Sequence, residues 1–200
     1  MNDTEKERAY WSKRYKEERT GWDIGFPSLP LKTYIDQLEN KDLKILIPGA
    51  GNAYEAEYLF KEGFKNVYVM DISSIPLEAF KVRLPDFPEE QLIKENFFEH
   101  DGTYDLIIEQ TFFCSFLPLP ETRMNYGKQM NALLNEGGKL VGLWFDLPLI
   151  MDTDKRPFGG TREEYLTYLS PYFNTQVFEK CYNSIQPRAG NELFGIFQKK

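Results

Sequence analysis

The 200-residue chain predicts an α/β, Rossmann-like fold: a doubly wound, seven-stranded, mostly parallel sheet with a C-terminal antiparallel hairpin and an N-terminal helical cover. Three observations carry this. Short apolar runs such as Val67-Tyr68-Val69-Met70 and Leu106-Ile107-Ile108 suit strands buried on both faces by helices. Stretches of helical length alternate with them, the βαβ pattern. Finally, Leu43-Lys44-Ile45-Leu46-Ile47-Pro48-Gly49-Ala50-Gly51-Asn52 is followed by Asp71. That order reads as a buried strand, a glycine turn that lets backbone approach a ligand, a helix start and a second strand ending in a carboxylate. It is the pattern of a nucleotide site.

Taken in order, Thr4 and Glu7 have capping-box spacing and predict the start of a first helix. Trp11 and Tyr15, four apart, share one face of it. Thr20-Gly21-Trp22-Asp23-Ile24-Gly25-Phe26-Pro27 reads as a loop that carries two more aromatics. A second helix is expected over about 31–39. Strands follow near 43–48, 66–71, 91–94, 104–110, 139–146, 175–182 and 192–198, with helices near 52–63, 75–84, 120–135 and 162–172. Pro120 fits a first helical position, and Gly137-Gly138 is read as the stop of that helix. Thr161 and Glu164 form a second capping box. No helical pattern separates the last two strands, which therefore pair as a hairpin. The chain length fits one core, so residues 1–200 are read as a single domain, with 1–40 as its cover. The Pro- and Gly-rich 147–161 segment is a lid-like insertion.

Composition narrows the function. Twenty-four basic against 31 acidic residues give a net charge of −7 and no basic block, which disfavours nucleic acid as a partner. The polar N-terminus leads into no apolar run, so the reading is no signal peptide, no membrane partner and a cytoplasmic location. Cys114 and Cys181 lack metal spacing and are expected as buried reduced thiols. One histidine, His100, and scattered carboxylates build no metal site. Sixteen Phe, 12 Tyr and three Trp exceed what a small core usually needs; an aromatic-lined pocket and an aromatic-rich core both account for them.

Several cofactors suit the glycine turn. Asp71 can accept from two ribose hydroxyls, as NAD, FAD or S-adenosylmethionine would all require. Tyr54 stands where a dinucleotide fingerprint has its third glycine, and no Tyr is followed four residues later by Lys. Both facts weaken a hydride-transfer reading. No His, Cys or Ser nucleophile constellation appears either. Asn96 and Phe97 lie in a loop where an adenine could stack on the ring and bond the amide.

Trp11 and Tyr15, then Thr20 to Gly25, Ile47-Pro48-Gly49-Ala50-Gly51-Asn52, Asp71-Ile72-Ser73 and Tyr104-Asp105-Leu106-Ile107-Ile108-Glu109-Gln110-Thr111-Phe112-Phe113-Cys114 together resemble the thiopurine methyltransferase family. The thiol and halide methyltransferase branch is the nearer likeness. The resemblance extends through Pro157-Phe158-Gly159-Gly160 and Pro187-Arg188-Ala189-Gly190. It implies a class I methyltransferase fold with S-adenosyl-L-methionine as cofactor and S-adenosyl-L-homocysteine as product. By that resemblance Trp11, Tyr15 and Trp22 wall cofactor and acceptor, and Gly49 and Gly51 approach the methionine part. Asp71 meets the ribose with Ile72 beside it, Asn96 and Phe97 the adenine, and Glu109 with Gln110 the methionine end. Related sequences often carry Asp at the position of Asn96 and Trp at that of Tyr15; the expected consequence is altered affinity.

The implied reaction is in-line methyl transfer to a small soft nucleophile: a thiol, sulfide-like anion, halide or thiopurine. Such an acceptor needs no dedicated base, so no catalytic residue is named. Trp22, Phe26, Phe112, Phe113, Phe158 and Tyr168 are candidates for the acceptor pocket, and Arg14, Arg156 and Arg188 for an anionic acceptor. No obligate protein partner is evident. Two alternatives stay open: O- or N-methylation of a small metabolite, with a base near Tyr168 or Glu109, and a non-catalytic domain that only binds the cofactor.

Overall fold

The structure is a computed structural model and describes residues 3–148 and 156–200. Seven strands form one sheet in the order β3-β2-β1-β4-β5-β7-β6. They are β1 (Lys44–Pro48), β2 (Asn66–Asp71), β3 (Leu92–Lys94), β4 (Tyr104–Gln110), β5 (Leu134–Phe145), β6 (Phe173–Lys180) and β7 (Glu192–Lys199). The first five run parallel, while β7 pairs antiparallel with both β5 and β6. The expected hairpin is therefore present, and its second strand is inserted between β5 and β6.

The two-residue period of β1 explains the layering. Ile45 and Ile47 join a core with Val67, Val69, Ala56, Leu59, Leu77 and Phe80. That face is covered by α2 (Leu29–Ile35), α3 (Tyr54–Lys61) and α4 (Ser74–Arg83). Leu46 points the other way and packs with Ile107, Leu140, Trp144, Tyr126, Met130 and Tyr165, under α5 (Pro120–Ala132) and α6 (Arg162–Leu169). Helix α1 (Asp3–Lys16) has no buried residue and lies against α4. No helix among the described residues is long and apolar enough to cross a membrane.

Some boundaries differ from the sequence reading. Helix α1 already includes Asp3, so Thr4 and Glu7 are inside it and no capping box forms. Their side chains are taken elsewhere, Thr4 Oγ1 donating to Glu99 at 2.6 Å and Glu7 accepting from Arg156 at 2.9 Å. Helix α2 starts and ends earlier than expected, with Pro30 in its first turn. Gly137-Gly138 does not stop α5, which ends at Ala132. Leu134 pairs with Tyr104 and Lys139 with Leu106, so the residues between bulge out of β5, helped by Gly137 at φ 74°. The Thr161–Glu164 capping box is present in full. Of the predicted 147–161 insertion, 149–155 lie outside the described residues. The strand order reverses between β1 and β4, and the crevice above their carboxyl ends is where such sheets bind ligands.

Candidate cofactor and acceptor site

After β1 the chain turns through Gly49, Gly51 and Ala53, at φ 57°, 53° and 54°, in the left-handed region that favours glycine. Gly49 has a second reason to be glycine. A Cβ there would stand 2.0 Å from Cδ2 of Phe112, whose ring lies against the turn. The turn is held to the end of β2 by hydrogen bonds: Ala50 N donates to Met70 O at 2.9 Å, and Gly51 N to Asp71 Oδ2 at 3.1 Å. Asp71 Oδ1 accepts from Ser73 N at 2.9 Å. Each carboxylate oxygen retains a second acceptor position. Burial pushes the Asp71 pKa up to about 6 even though the backbone N–H groups pull it down.

Helix α1 spans the mouth of this crevice. Arg8 Nε donates to Ile72 O (3.3 Å), Ser12 and Ser73 hydroxyls meet at 3.0 Å, and Asn96 Nδ2 donates to Thr4 Oγ1 at 2.9 Å. Trp22 is edge-on to both Trp11 and Tyr15, with ring centroids 5.4 and 5.7 Å away. Its carbonyl accepts from Arg188 Nη2 at 2.7 Å, which ties the N-terminal cover to the connection between β6 and β7. Arg188 also reaches Glu192 at 3.3 Å. In the amide orientation that satisfies both neighbours, Gln110 donates to Glu55 (2.8 Å) and accepts from Arg188 (2.9 Å). The buried Glu55 also accepts from Ser28 N at 2.9 Å. Cover, α3, β4 and the C-terminal hairpin thus meet in one polar network.

Under this cover lies a cavity of about 710 Å³, within the range of cofactor and small-molecule sites. Of the sequence-predicted residues, Trp11, Tyr15, Trp22, Gly49, Asp71, Ile72, Asn96, Phe97 and Phe112 line it, as do Arg14, Arg156 and Arg188. Gly51, Gln110 and Phe26 face a separate hollow of about 50 Å³ that shares Trp22, Gly49 and Thr111 with the large one.

Four predicted residues lie elsewhere. Glu109 is fully buried; its carboxylate accepts from Phe112 N at 3.0 Å and Tyr126 Oη at 3.4 Å, and burial raises its pKa to about 8. It braces the turn behind the cavity, where Thr111 takes φ 57°. Phe113 packs edge-on to Tyr126 and Tyr165. Phe158 is also buried, its N–H bonded to Cys114 O at 2.8 Å. Tyr168 belongs to α6, with its carbonyl against Gly127 of α5.

Conversely, Tyr10, Glu95, Thr111 and Phe116 line the cavity without having been singled out. Tyr10 had a usable signal, being four residues before Arg14. Phe116 joins a ring cluster with Phe97, Phe98 and Phe112 that no local spacing reveals.

These residues fit a cofactor of the expected kind. Asp71 presents free acceptor positions at the wall, the glycine turn brings backbone close, and the aromatic rings suit both an adenine face and a cationic centre. Among solved structures, the chain is similar to a magnesium protoporphyrin IX methyltransferase from Synechocystis PCC 6803 with bound SAM. The TM-score is 0.75 at 14% identity, covering 100% of this chain and 98% of that one. A Burkholderia thailandensis 1,6-didemethyltoxoflavin-N1-methyltransferase with bound S-adenosylhomocysteine gives 0.75 at 18% identity, over 96% and 87%. Two Arabidopsis thaliana proteins are similar in sequence. One, a probable thiol methyltransferase 2, is 27% identical over 94% of this chain and 84% of its own length. The other, thiocyanate methyltransferase 1, is 29% identical over 96% and 86%. The family model for thiopurine S-methyltransferase matches residues 6–200, and the chain accordingly belongs to that family of S-adenosylmethionine-dependent methyltransferases.

Proposed function

We propose that this enzyme methylates a small soft nucleophile of the thiol, sulfide, thiocyanate or halide class. The observation that carries the reading is the commitment of every carboxylate at the described cavity wall. Glu7 is held by Arg156 and Trp11, Asp71 by backbone N–H groups, Glu95 by His100 at 2.6 Å and Asp3 by Lys6. With the spare acceptor positions of Asp71 taken by the cofactor ribose, the described wall offers no disengaged base, which suits an acceptor that is already nucleophilic at neutral pH. O- or N-methylation would call for a base, and the two candidates for it, Tyr168 and Glu109, are away from the cavity.

When bound, S-adenosylmethionine supplies a methyl group on a sulfonium centre. Asp71 would hold the ribose hydroxyls, Asn96 and Phe97 the adenine, and Trp11, Tyr15 and Trp22 the remainder. The aromatic faces favour a cation by about 0.5–2 kcal/mol each. They also exclude water, which leaves a soft nucleophile poorly solvated and reactive. Catalysis by this chain is alignment and desolvation. The two buried free thiols, Cys114 and Cys181, fit a reducing compartment such as the cytoplasm.

The test is incubation of purified protein with methyl-labelled S-adenosylmethionine and a panel of iodide, thiocyanate, sulfide, small thiols and thiopurines. Labelled methyl product from at least one is expected; absence of product across the panel refutes the reading.

A further inference from the structure

We propose that Arg14 is the specificity-determining residue for charge, selecting an anionic acceptor over a neutral one. The inference rests on the methyl-transfer reading above.

Three guanidinium groups line the cavity, and the structure separates them by what they already hold. Arg156 contacts both oxygens of Glu7, at 2.9 and 3.2 Å, and stacks over Tyr10 at 4.3 Å. Arg188 is paired with Glu192 and spends Nη2 on the carbonyl of Trp22. Both charges are compensated, and both groups serve to fix the cover.

Arg14 differs. Among the described residues its side chain makes neither a hydrogen bond nor an ion pair; its Nε is buried without a partner, as is that of Arg156, but the Arg156 charge is already met by Glu7. What holds it is aromatic: its guanidinium lies 5.5 Å from the Trp22 ring centroid and 6.0 Å from that of Tyr10. Those rings are part of the cavity wall, so the group is positioned there by packing and its donors remain available. Leaving a desolvated donor unsatisfied is costly, and an anion entering the cavity removes that cost. A neutral acceptor of the same size removes less of it, because it brings no opposite charge to attract the guanidinium in a partly desolvated site. The uncompensated positive charge at the wall thus turns into a preference for an anion, a halide, thiocyanate or thiolate, inside an otherwise apolar enclosure.

The experiment compares wild type, Arg14→Gln and Arg14→Lys. Thiocyanate binding to the S-adenosylhomocysteine-loaded protein is measured by calorimetry, and KM and kcat for iodide and thiocyanate by methyl transfer. Melting temperature and S-adenosylhomocysteine affinity of each variant report folding and the cofactor site. Arg14→Gln is expected to weaken thiocyanate binding and raise the anion KM by about tenfold or more, with S-adenosylhomocysteine affinity within twofold and most of the effect on KM. Arg14→Lys, which keeps the charge, is expected to recover most of the loss.

Anion affinities unchanged in Arg14→Gln overturn the proposal. A loss of S-adenosylhomocysteine affinity as large as the loss for the anion also overturns it, because Arg14 then serves the cofactor's own carboxylate. Methyl transfer by wild type to neutral acceptors alone overturns it while the methyl-transfer reading stands. If wild type transfers methyl to nothing, that reading fails separately, and the calorimetric arm still decides whether Arg14 holds an anion.

Discussion

Lowering the pH should loosen the cofactor through one carboxyl group. Asp71 titrates at about 6 in the folded protein, against an ordinary 3.8, because burial disfavours its charge. The ribose hydroxyls of the cofactor are donors, so the ionised form binds them better. At pH 8 nearly all of Asp71 is ionised; at pH 5 a group with a pKa near 6 is roughly one-tenth ionised, which weakens binding about tenfold. The assay is calorimetric titration of S-adenosylhomocysteine from pH 8 to pH 5. Asp71→Asn should bind weakly at every pH with no such slope. Its amide cannot accept from both Gly51 N and Ser73 N, and one donor left facing another costs about 1–3 kcal/mol. An affinity constant across this range in wild type, or a slope that survives Asp71→Asn, refutes the assignment. Stability without ligand should move the opposite way. The folded pKa is raised, so the Asp71 contribution is fully present below pH 3.8 and is lost as pH rises through about 6.

Further outcomes follow from neighbouring groups. Glu109, raised from 4.5 to about 8, is mostly a neutral acid at pH 7. Glu109→Gln should therefore leave S-adenosylhomocysteine affinity within twofold and remove a loss of stability that wild type shows as pH rises from 4.5 through 8, read by thermal melts. A tenfold affinity loss would instead place Glu109 on the cofactor. Gly49→Ala forces a side chain into φ 57° at a cost of about 1–2 kcal/mol and displaces Phe112. A melting temperature lower by roughly 2–8 °C is expected for a chain of this length, and an unchanged one would contradict the described packing. Arg188→Met leaves the buried Glu192 unpaired, so a stability loss of about 3–5 kcal/mol is expected by denaturant titration, with a change in tryptophan fluorescence as Trp22 is released.

The layers were legible because strand alternation is local: Ile45 and Ile47 face one core and Leu46 the other, as a two-residue period demands. The glycine turn and Asp71 were equally readable, being two ends of adjacent parallel strands. The same period separates two residues that the resemblance places together. Glu109 and Gln110 were assigned together to the methionine end, yet neighbours on a strand point to opposite faces, and only Gln110 reaches a hollow. Phe112 and Phe113 also divide between cavity and core, but in the helical turn after β4, where strand alternation does not apply. The apparent box at Thr4 and Glu7 failed for a different reason, since their partners are Glu99 and Arg156, 95 and 149 residues away, beyond any spacing rule. Arg14, Arg156 and Arg188 look alike in the sequence; only their partners distinguish them.

The placement of β7 between β5 and β6 has a consequence for synthesis. On the ribosome residues 173–180 emerge before 192–199, so β6 has no strand to join and β5 presents an open edge until β7 arrives. Arg188 and Glu192 are delivered with that strand, and Arg188 secures a tryptophan carbonyl 166 residues earlier in the chain. The nascent protein can complete its first five strands early, with α1 held to Ile72, Ser73 and Asn96, but the Trp22 part of the cover is tied down only when β7 is seated. The site is thereby completed only once β7 has emerged, and a chain released short of β7 keeps an adhesive sheet edge and a Trp22 segment without its Arg188 tie.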